Sequence, residues 1–309
     1  MKETKEIVAR KSSKFWGNLK KIVLKVVPVS SLVYKKMHLK AVELASRRRN
    51  TKKAKLSFDV SVVDSCNLNC VGCVAFSPLC KDVYVDISSF ENDIKQIGEL
   101  TNGEVGYMSL SGGEVLQHPN IVEILDVSRK HLKNGELSII TNGILLDKQS
   151  DMFWEVCRKN DIKIYITPYP IKLNIDKIVE FAKKYLVSVE WFSVGEREHF
   201  RKLPLNVEGK GDVIKNFRRC NNSNTCVVLR EGKIYPCGMP AVIRYFNEYF
   251  DQHFEVTEKD YIDIYTANNL DEILEFVCKP IPFCRYCDID NMKFGIEWGV
   301  SKKDIKEWI

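Results

Sequence analysis

The chain has 309 residues, of which 45% are hydrophobic and 28% are charged, and its formal net charge is +6. This composition is typical of a soluble globular protein that buries a substantial core. The sequence contains eleven cysteines. We find no signal peptide before them, so an odd number of cysteines favours metal binding in a reducing cytoplasm over a disulfide scaffold.

Residues 1–55 are predicted to form a basic arm, because Glu3, Glu6 and Glu43 are their only acidic residues. The apolar segment 22–33 is interrupted by lysine and is too short to span a bilayer. Aromatic and aliphatic residues interleave with lysine in residues 14–26, a pattern compatible with docking on an anionic membrane surface or on a protein partner. The alternatives are nucleic-acid binding and a solvated arm packed loosely on the protein body. We expect a cytoplasmic protein, free or peripheral at the inner membrane surface, with no DNA partner.

After the arm, apolar runs alternate with amphipathic segments, which predicts parallel strands joined by crossover helices. Ser88 to Glu91 has the pattern of a capping box and predicts the start of the first helix of the body. His118, next to Pro119, is expected to brace the turn into the following helix. The predicted strands are 56–63, 105–110, 137–141, 162–167 and 187–193, and the predicted helices are 88–100, 119–132, 151–159 and 176–185.

Three cysteines follow the first predicted strand at a Cys-x3-Cys-x2-Cys spacing, namely Cys66, Cys70 and Cys73. Three thiolates at this spacing can hold a [4Fe–4S] cluster, which is bound by cysteine sulfur. No fourth cysteine follows at a regular spacing, so one iron would stay open to another ligand. A zinc site is the alternative interpretation.

The second and third strands end in Ser111-Gly112-Gly113-Glu114 and Thr141-Asn142-Gly143. The paired glycines allow a ligand to approach the backbone, and the glutamate could hold an ammonium group. In parallel barrels the functional residues collect after the C-terminal ends of the strands. We therefore expect both motifs to meet the cysteine loop at one end of the barrel, with Thr167-Pro168-Tyr169 and Ser193 facing the substrate.

A second group of cysteines surrounds a predicted hairpin, residues 227–235, which turns at Glu231-Gly232. Cysteines that flank a hairpin, together with a later Cys-x2-Cys pair, are typical of a metal site. Cys278 is a weaker candidate, and Cys80 and Cys157 are not expected to be ligands. The candidates for four ligand positions are Cys220, Cys226, Cys237, Cys284 and Cys287.

The cysteine motif and the Gly-Gly-Glu segment together resemble the radical S-adenosylmethionine (SAM) superfamily over about residues 56–200. The resemblance implies an α/β fold with a partial (β/α)6 TIM-like barrel. One position departs from the family pattern, because Gly72 stands where an aromatic residue is usual, and this leaves the contact with adenine open. The resemblance implies a [4Fe–4S] cluster on Cys66, Cys70 and Cys73, and SAM bound by Gly112, Gly113, Glu114, Thr141 and Asn142.

The second group of cysteines resembles the small C-terminal auxiliary-cluster domain of such enzymes, called a twitch or SPASM-like domain. This implies a basic arm at 1–55, a barrel at 56–200 and an auxiliary iron–sulfur domain at 201–309. One auxiliary [4Fe–4S] cluster would take four of the five candidate cysteines. Cys226 would be a ligand or a free thiol near the substrate.

The resemblance implies cleavage of SAM to a 5′-deoxyadenosyl radical and abstraction of hydrogen from a substrate C–H bond. Similarity to radical SAM proteins of polysaccharide gene clusters favours a carbohydrate, glycan or aminocyclitol substrate. An auxiliary cluster that accepts an electron implies dehydrogenation, whereas a hydrogen returned by Cys226 implies epimerisation. The expected reductant is a flavodoxin or ferredoxin. A peptide maturase is the alternative enzyme, and a non-catalytic metal-stabilised adaptor that binds RNA or a partner is the alternative outside enzymes.

Overall fold

The structure, a computed structural model, describes residues 8–9, 31–81, 83–192 and 199–309. The apolar and basic stretch 14–26 and Ser193 lie outside the described residues. The strands are β1 (Val8–Ala9), β2 (Ser57–Val63), β3 (Glu104–Gly112), β4 (Asn134–Thr141), β5 (Ile162–Ile166), β6 (Val189–Trp191), β7 (His199–Lys202), β8 (Val228–Arg230), β9 (Lys233–Tyr235), β10 (Ile262–Asp263) and β11 (Lys293–Glu297). The helices are α1 (Leu32–Arg49), α2 (Ile87–Thr101), α3 (Ile121–His131), α4 (Asp151–Lys159), α5 (Ile175–Tyr185), α6 (Val213–Arg219), α7 (Gly238–Phe250) and α8 (Leu270–Phe276).

The main sheet has the strand order β1-β6-β5-β4-β3-β2-β8-β9-β10. Strands β2 to β6 pair in parallel with their neighbours, as strands joined by crossover helices must. β1 joins the far edge beside β6, again in parallel. The α/β fold and the partial TIM-like barrel are therefore confirmed. β7 and β11 form a separate antiparallel ribbon.

The outer face of the barrel sheet is apolar and packs beneath the crossover helices. Phe58, Met108, Leu137 and Ile162 lie side by side on neighbouring strands, and all four belong to the main hydrophobic core. Full burial of a side chain of this kind contributes roughly 1.5–3 kcal/mol. This row fixes the register, because a shift by one residue would turn every one of these side chains to the opposite face.

Helix α2 begins one residue before the predicted position, so the capping-box prediction was wrong. Asp86 is the N-cap, and its carboxylate accepts a hydrogen bond from the backbone N–H of Ser89. Ser88 uses its hydroxyl to bond the same carboxylate at 2.7 Å. Glu91 instead pairs with the side chains of Lys130 and His131 on α3. An aspartate at the N-cap satisfies the first N–H groups without the reciprocal glutamate bond.

Strand lengths also differ from the prediction. The fifth strand of the barrel is only Val189–Trp191, and the third begins at Asn134. The bracing role of His118 is confirmed. Its Nδ1 accepts the backbone N–H of Asn120 at 3.1 Å, and its Nε2 therefore donates to the carbonyl of Val85 at 3.0 Å.

Besides β1, the described part of the arm contains an 18-residue helix, α1. Leu39 and Val42 are buried, and Leu39 packs against Ile289 and Met292. The interpretation of a loosely packed arm is thus wrong for this helix. None of the helices in the described part of the chain is long and apolar enough to cross a membrane.

The predicted hairpin is confirmed as β8 and β9. Glu231 and Gly232 both have positive φ, 51° and 72°, as a type I′ hairpin turn requires. β8 also pairs in parallel with β2, so the barrel sheet continues through the hairpin to β10. The boundary at residue 200 stays a prediction.

Candidate functional site

The three-cysteine loop begins directly after β2. The sulfur of Cys66 accepts the backbone N–H of Leu68 at 3.4 Å, and burial raises the pKa of this thiol to about 11. The sulfur of Cys70 accepts the indole N–H of Trp298 at 3.2 Å. All eleven cysteines are free thiols. The loop therefore presents sulfur atoms that already receive N–H donors, as thiolate ligands of a cluster do.

A segment far along the chain, residues 298–308, closes over this loop, and we call it the closing segment. Val71 donates its N–H to the carbonyl of Gly299 at 2.7 Å. The indole N–H of Trp308 donates to the carbonyl of Cys73 at 2.9 Å. Sequence reasoning missed this contact, and the only local signal was two tryptophans within eleven residues. The two segments are separated by more than 200 residues, and only the tertiary fold joins them.

The closing segment also explains why Gly72 departs from the family pattern. Gly72 has a φ of +60°, which favours glycine, and its N–H donates to the carboxylate of Glu307 at 3.2 Å. A Cβ at this position would lie 3.1 Å from the carbonyl oxygen of Glu307. An aromatic side chain is therefore disfavoured at residue 72, and the aromatic rings beside this loop come from Trp298 and Trp308.

Glu114 joins the second and third strand-end motifs. Its carboxylate accepts hydrogen bonds from the Thr141 hydroxyl at 2.6 Å, the Asn142 N–H at 2.8 Å and the Leu116 N–H at 3.1 Å. Burial raises its pKa, and these three donors oppose that shift. A carboxylate offers about four lone-pair positions, so one remains for a ligand. Asn142 in turn points its amide at Cys66 Sγ, 3.7 Å away. The predicted residues thus meet at one end of the barrel.

The two glycines before Glu114 allow the end of β3 to pack closely against the backbone that leads from β2 into the three-cysteine loop. A Cβ on Gly112, whose φ is +122°, would lie 2.2 Å from the carbonyl oxygen of Val63. A Cβ on Gly113 would lie 1.8 Å from the carbonyl oxygen of Ser65. Close packing of the backbone accounts for both glycines, and their contact with a ligand stays a prediction. The buried hydroxyl of Ser65 has no hydrogen-bond partner among the described residues, which fits a polar group bound beside Cys66.

The inner face of the barrel sheet is polar. Asp59, Ser109, Ser138 and Lys163 occupy adjacent register positions on neighbouring strands, directly behind the apolar outer rows. Ser109 and Ser138 share a hydrogen bond of 2.8 Å. A closed TIM barrel fills its interior with branched apolar side chains, so this face is built differently. Sequence reasoning missed it, although polar residues at every second position were a visible signal in strands expected to be apolar on both faces.

The C-terminal cysteines form a second centre, which we call the four-cysteine cavity. Cys220, Cys237, Cys284 and Cys287 line one enclosed space together with Phe217 and Phe283. Burial raises the pKa values of Cys237 and Cys287 well above the ordinary thiol range, and the neighbouring thiols raise them further. The side-chain amide of Asn216 bonds the carbonyls of Cys284 and Cys287 at 2.9 and 2.6 Å, which fixes that Cys-x2-Cys turn.

Cys226 does not line the four-cysteine cavity. It lies two residues before β8, where Val228 pairs with Asp59 of the inner face, and it also lies within reach of the charges of Cys220 and Cys237 of the four-cysteine cavity. Burial, followed by the Asp59 carboxylate, raises the pKa of Cys226 to about 11, so it carries its proton at neutral pH. Of the other cysteines, Cys80 donates to backbone carbonyls and Cys157 is fully buried in the core.

Among the described residues, no three His, Cys, Asp or Glu side chains converge on a point that one metal ion could occupy. A four-iron cluster presents a separate iron to each cysteine, so its ligands need not converge in this way. Free thiols, N–H donors to sulfur and the unpaired Ser65 hydroxyl all suit such a group.

Residues 60–167 match the Radical SAM superfamily. They form a radical SAM domain. The matched range contains the three-cysteine loop, the Gly-Gly-Glu segment and Thr141-Asn142-Gly143. The cofactors of this domain are accordingly a [4Fe–4S] cluster and SAM.

Curated relatives match only part of this chain. A GTP 3′,8-cyclase of Alkaliphilus oremlandii (strain OhILAs) is 28% identical over 145 residues, covering 46% of this chain and 41% of the relative. A GTP 3′,8-cyclase of Clostridium botulinum (strain Hall) is 26% identical over 184 residues, covering 47% of this chain and 58% of the relative. The chain therefore spans about half the length of these two relatives.

Two solved structures are similar to this chain at low sequence identity. BtrN in complex with AdoMet and 2-DOIA has a TM-score of 0.46 and 12% identity, covering 77% of this chain and 94% of BtrN. Native anSMEcpe with bound AdoMet has a TM-score of 0.45 and 14% identity, covering 75% of this chain and 82% of that chain.

Proposed function

We propose that this protein is a radical SAM enzyme that abstracts hydrogen from a C–H bond of a carbohydrate or aminocyclitol and epimerises that carbon. The observation that supports the proposal is the polar inner face of the barrel beside Cys226, a protonated thiol that does not line the four-cysteine cavity. Hydroxyl and carboxylate side chains bind the hydroxyl groups of a sugar by hydrogen bonds, whereas an apolar interior would exclude them.

The residues at the strand ends would hold the cofactors. Cys66, Cys70 and Cys73 would bind the cluster, and the remaining lone pair of Glu114 would accept the ammonium group of SAM. Thr141 and Asn142 keep that carboxylate in place by their own hydrogen bonds. When bound and reduced, the cluster supplies the electron that cleaves SAM and generates the hydrogen-abstracting radical. The protein's contribution is orientation of the substrate and exclusion of water.

Cys226 would complete the epimerisation. Its S–H bond breaks as a hydrogen atom passes to the substrate carbon radical on the face opposite the abstraction. The resulting sulfur radical needs one electron and one proton to return to the thiol. A one-electron donor protein of the flavodoxin or ferredoxin class would supply the electron, and solvent the proton. This gives no net oxidation of the sugar.

Dehydrogenation is the second candidate, and the four-cysteine cavity favours it. Cys220, Cys237, Cys284 and Cys287 would bind one auxiliary [4Fe–4S] cluster, leaving Cys226 free. Such a centre could accept an electron from the substrate radical, with the proton leaving to a base or to solvent, so that the product lacks two hydrogens. The predicted auxiliary domain, 201–309, is the region that contains these four cysteines.

The test is anaerobic turnover of the reconstituted protein with SAM, a reductant and a panel of sugars, aminocyclitols, a cysteine-containing peptide and GTP. In D2O, epimerisation predicts one deuterium in the product and 5′-deoxyadenosine in equal amount. Loss of two hydrogens would select dehydrogenation. Turnover of the peptide alone would select the maturase, and absence of 5′-deoxyadenosine under all conditions would select the adaptor.

We further propose that helix α1 docks the protein on an anionic membrane. Leu32, Val33 and Leu44 are exposed, and Lys36 and Lys40 are exposed on the same helix. Lysines near an anionic membrane surface are attracted to its lipids, and this charge supports adsorption of the helix. We expect the protein to sediment with phosphatidylglycerol vesicles and not with neutral vesicles. Sedimentation with both kinds of vesicle, or with neither, would overturn the proposal.

A further inference from the structure

A basic pocket lies between the β7–β11 ribbon, the closing segment and the three-cysteine loop. Its volume is about 380 Å³, and Val71 and Gly72 of the loop form part of its wall. Five cationic side chains and two carboxylates line it. They are Arg201, Lys202, Lys293, Lys302, Lys306, Asp304 and Glu307.

Both carboxylates are committed to backbone and hydroxyl donors. Asp304 accepts the N–H of Lys306 at 2.9 Å and caps the last helical turn. Glu307 accepts the Ser301 hydroxyl and the Lys302 N–H, both at 2.7 Å, in addition to the Gly72 N–H. Within the described residues, neither carboxylate forms an ion pair with a cation of the pocket. The positive charge therefore exceeds the negative charge and is not paired locally.

The cations differ in how far they are engaged. Lys202 donates to the backbone carbonyls of Lys306 and Ile309, and burial together with the charge of Lys293 lowers its pKa. Arg201 donates to the Asn222 side chain at 3.0 Å. Lys293, Lys302 and Lys306 are exposed, and none has an ion-pair partner in the described part of the chain. Like charges held together in this way attract an anion.

We propose that the basic pocket binds the phosphate or diphosphate group of a phosphorylated sugar substrate. This inference rests on the proposed function, whose substrate class it narrows. Arginine and lysine are the side chains that bind phosphate oxygens, and a small-molecule site commonly has a volume of 300–1,000 Å³. Val71, Ile296 and Val300 supply the apolar part of the wall.

The location of the pocket would direct the sugar toward the reactive groups. Gly72 belongs both to the pocket and to the loop between Cys70 and Cys73. Arg201 lies near enough to Cys226 for its charge to oppose the rise in the pKa of that thiol. A phosphate held by Arg201 and the lysines would thus anchor one end of the substrate near both the three-cysteine loop and Cys226. Binding energy from a part of the substrate that does not react can hold the reacting carbon in the correct orientation.

The test uses inorganic pyrophosphate as the probe and the reconstituted, anaerobic holoenzyme. Isothermal titration at low salt and at 0.15 M salt measures its affinity for the wild type and for the Lys293→Ala/Lys306→Ala variant. The control variant is Lys133→Ala/Lys177→Ala, which removes the same charge from two exposed lysines outside the pocket. We expect affinity to fall about tenfold in the pocket variant and to change less than about twofold in the control, since charge-assisted bonds are lost only in the former.

Absence of pyrophosphate binding to the wild type, or equal weakening in both variants, would overturn the pocket as a phosphate site. If 5′-deoxyadenosine still forms in that case, the proposed function survives, so the two failures are distinguishable. An acidic electron-donor protein is the other occupant that this charge could attract. Slower reduction by such a donor in the pocket variant, without pyrophosphate binding, would also overturn the phosphate site and assign the pocket to that protein.

Discussion

The three-cysteine loop and the four-cysteine cavity use the same ligand in opposite settings. The loop contains three cysteines at the end of a barrel strand, beside the polar inner face, and a distant segment closes over it. The cavity contains four cysteines, and its wall is completed mainly by apolar side chains such as Phe217, Ile281 and Phe283. Three ligands leave one metal position open to a reactant, whereas four ligands close the site, as in catalytic and structural zinc centres. Under the proposed function, the loop would carry the chemistry and the cavity would hold a closed auxiliary centre.

A buried ion pair links the two regions. Asp64 lies two residues before Cys66, and Arg230 lies in the hairpin that leads to Cys237. The guanidinium bonds both carboxylate oxygens, at 2.7 and 2.6 Å, and the Tyr245 hydroxyl bonds the same carboxylate. Arg230 and the other donors hold the pKa of Asp64 below its usual value despite burial. The two centres are therefore mechanically joined.

The largest expected effect concerns Cys226, which the proposed function treats as a hydrogen donor and not as a cluster ligand. We predict that Cys226→Ala abolishes deuterium uptake from D2O into the product, because no other thiol delivers hydrogen, while iron content is unchanged. Mass spectrometry of the product and iron analysis measure the two quantities. Cys278→Ala is the control, since that thiol donates to the Leu274 carbonyl and should leave both unchanged. A drop of about four irons in Cys226→Ala would make it a ligand and contradict this assignment.

Breaking the link should give the next largest effect. Asp64→Asn leaves the buried guanidinium without its charge partner, and we predict a loss of about 3–5 kcal/mol in the free energy of unfolding. Urea denaturation of the apoprotein measures it. Asp290→Asn is the control, because Asp290 is half-exposed in its pairs with Lys215 and Arg219 and should cost under about 1 kcal/mol. Equal effects of the two changes would show that the link does not hold the regions together.

Glu114 tests whether the hydrogen bonds at this end of the barrel stabilise the protein even when no cofactor is bound. Glu114→Gln places an amide N–H2 where the Thr141 and Asn142 donors point, and we predict a loss of about 2 kcal/mol in stability without any cofactor. Glu91→Gln is the control, because it removes only a largely exposed ion pair with Lys130. It should cost about 0.5 kcal/mol. Unchanged stability of Glu114→Gln combined with lost SAM binding would mean that this carboxylate serves the ligand alone.

Trp298 should produce the smallest effect, confined to the loop. Its N–H donates to Cys70 Sγ, and a hydrogen bond to sulfur stabilises the more negative, reduced state of a cluster. Trp298→Phe should therefore lower the midpoint potential of that cluster by about 20–60 mV, the equivalent of one hydrogen bond. Trp308→Phe is the control, because its N–H bonds the Cys73 carbonyl and no sulfur. Redox titration followed by electron paramagnetic resonance measures both, and equal shifts would contradict the assignment.

Much of the barrel could be predicted because its signals are local. The order of strands and helices, the bounds of α4 and the Glu231-Gly232 hairpin follow from short-range periodicity and turn chemistry. The cysteine motifs were equally local. The capping prediction failed because Asp86 and Ser88, two residues apart, are both possible N-caps, and the Asp86 carboxylate accepts the Ser89 N–H and the Ser88 hydroxyl as well.

The remaining features depend on contacts between distant residues. The closing segment reaches the cysteine loop across more than 200 residues, and the Asp64–Arg230 pair spans 166. Which four cysteines share a cavity depends on how α6, the β8–β9 hairpin and the Cys284–Cys287 turn pack together. No periodicity in the sequence encodes those distances, so only the structure could show that Cys226 does not line the four-cysteine cavity.

Iron and sulfide content tests the central claim of two separate centres most directly. After anaerobic reconstitution, the wild type is compared with the Cys66→Ala/Cys70→Ala/Cys73→Ala variant. Two tetranuclear centres predict about eight irons in the wild type and about four in the variant. The four remaining irons would belong to the four-cysteine cavity. About four irons falling to none would contradict the account, because the cavity would then hold no cluster and the comparison between the two regions would fail.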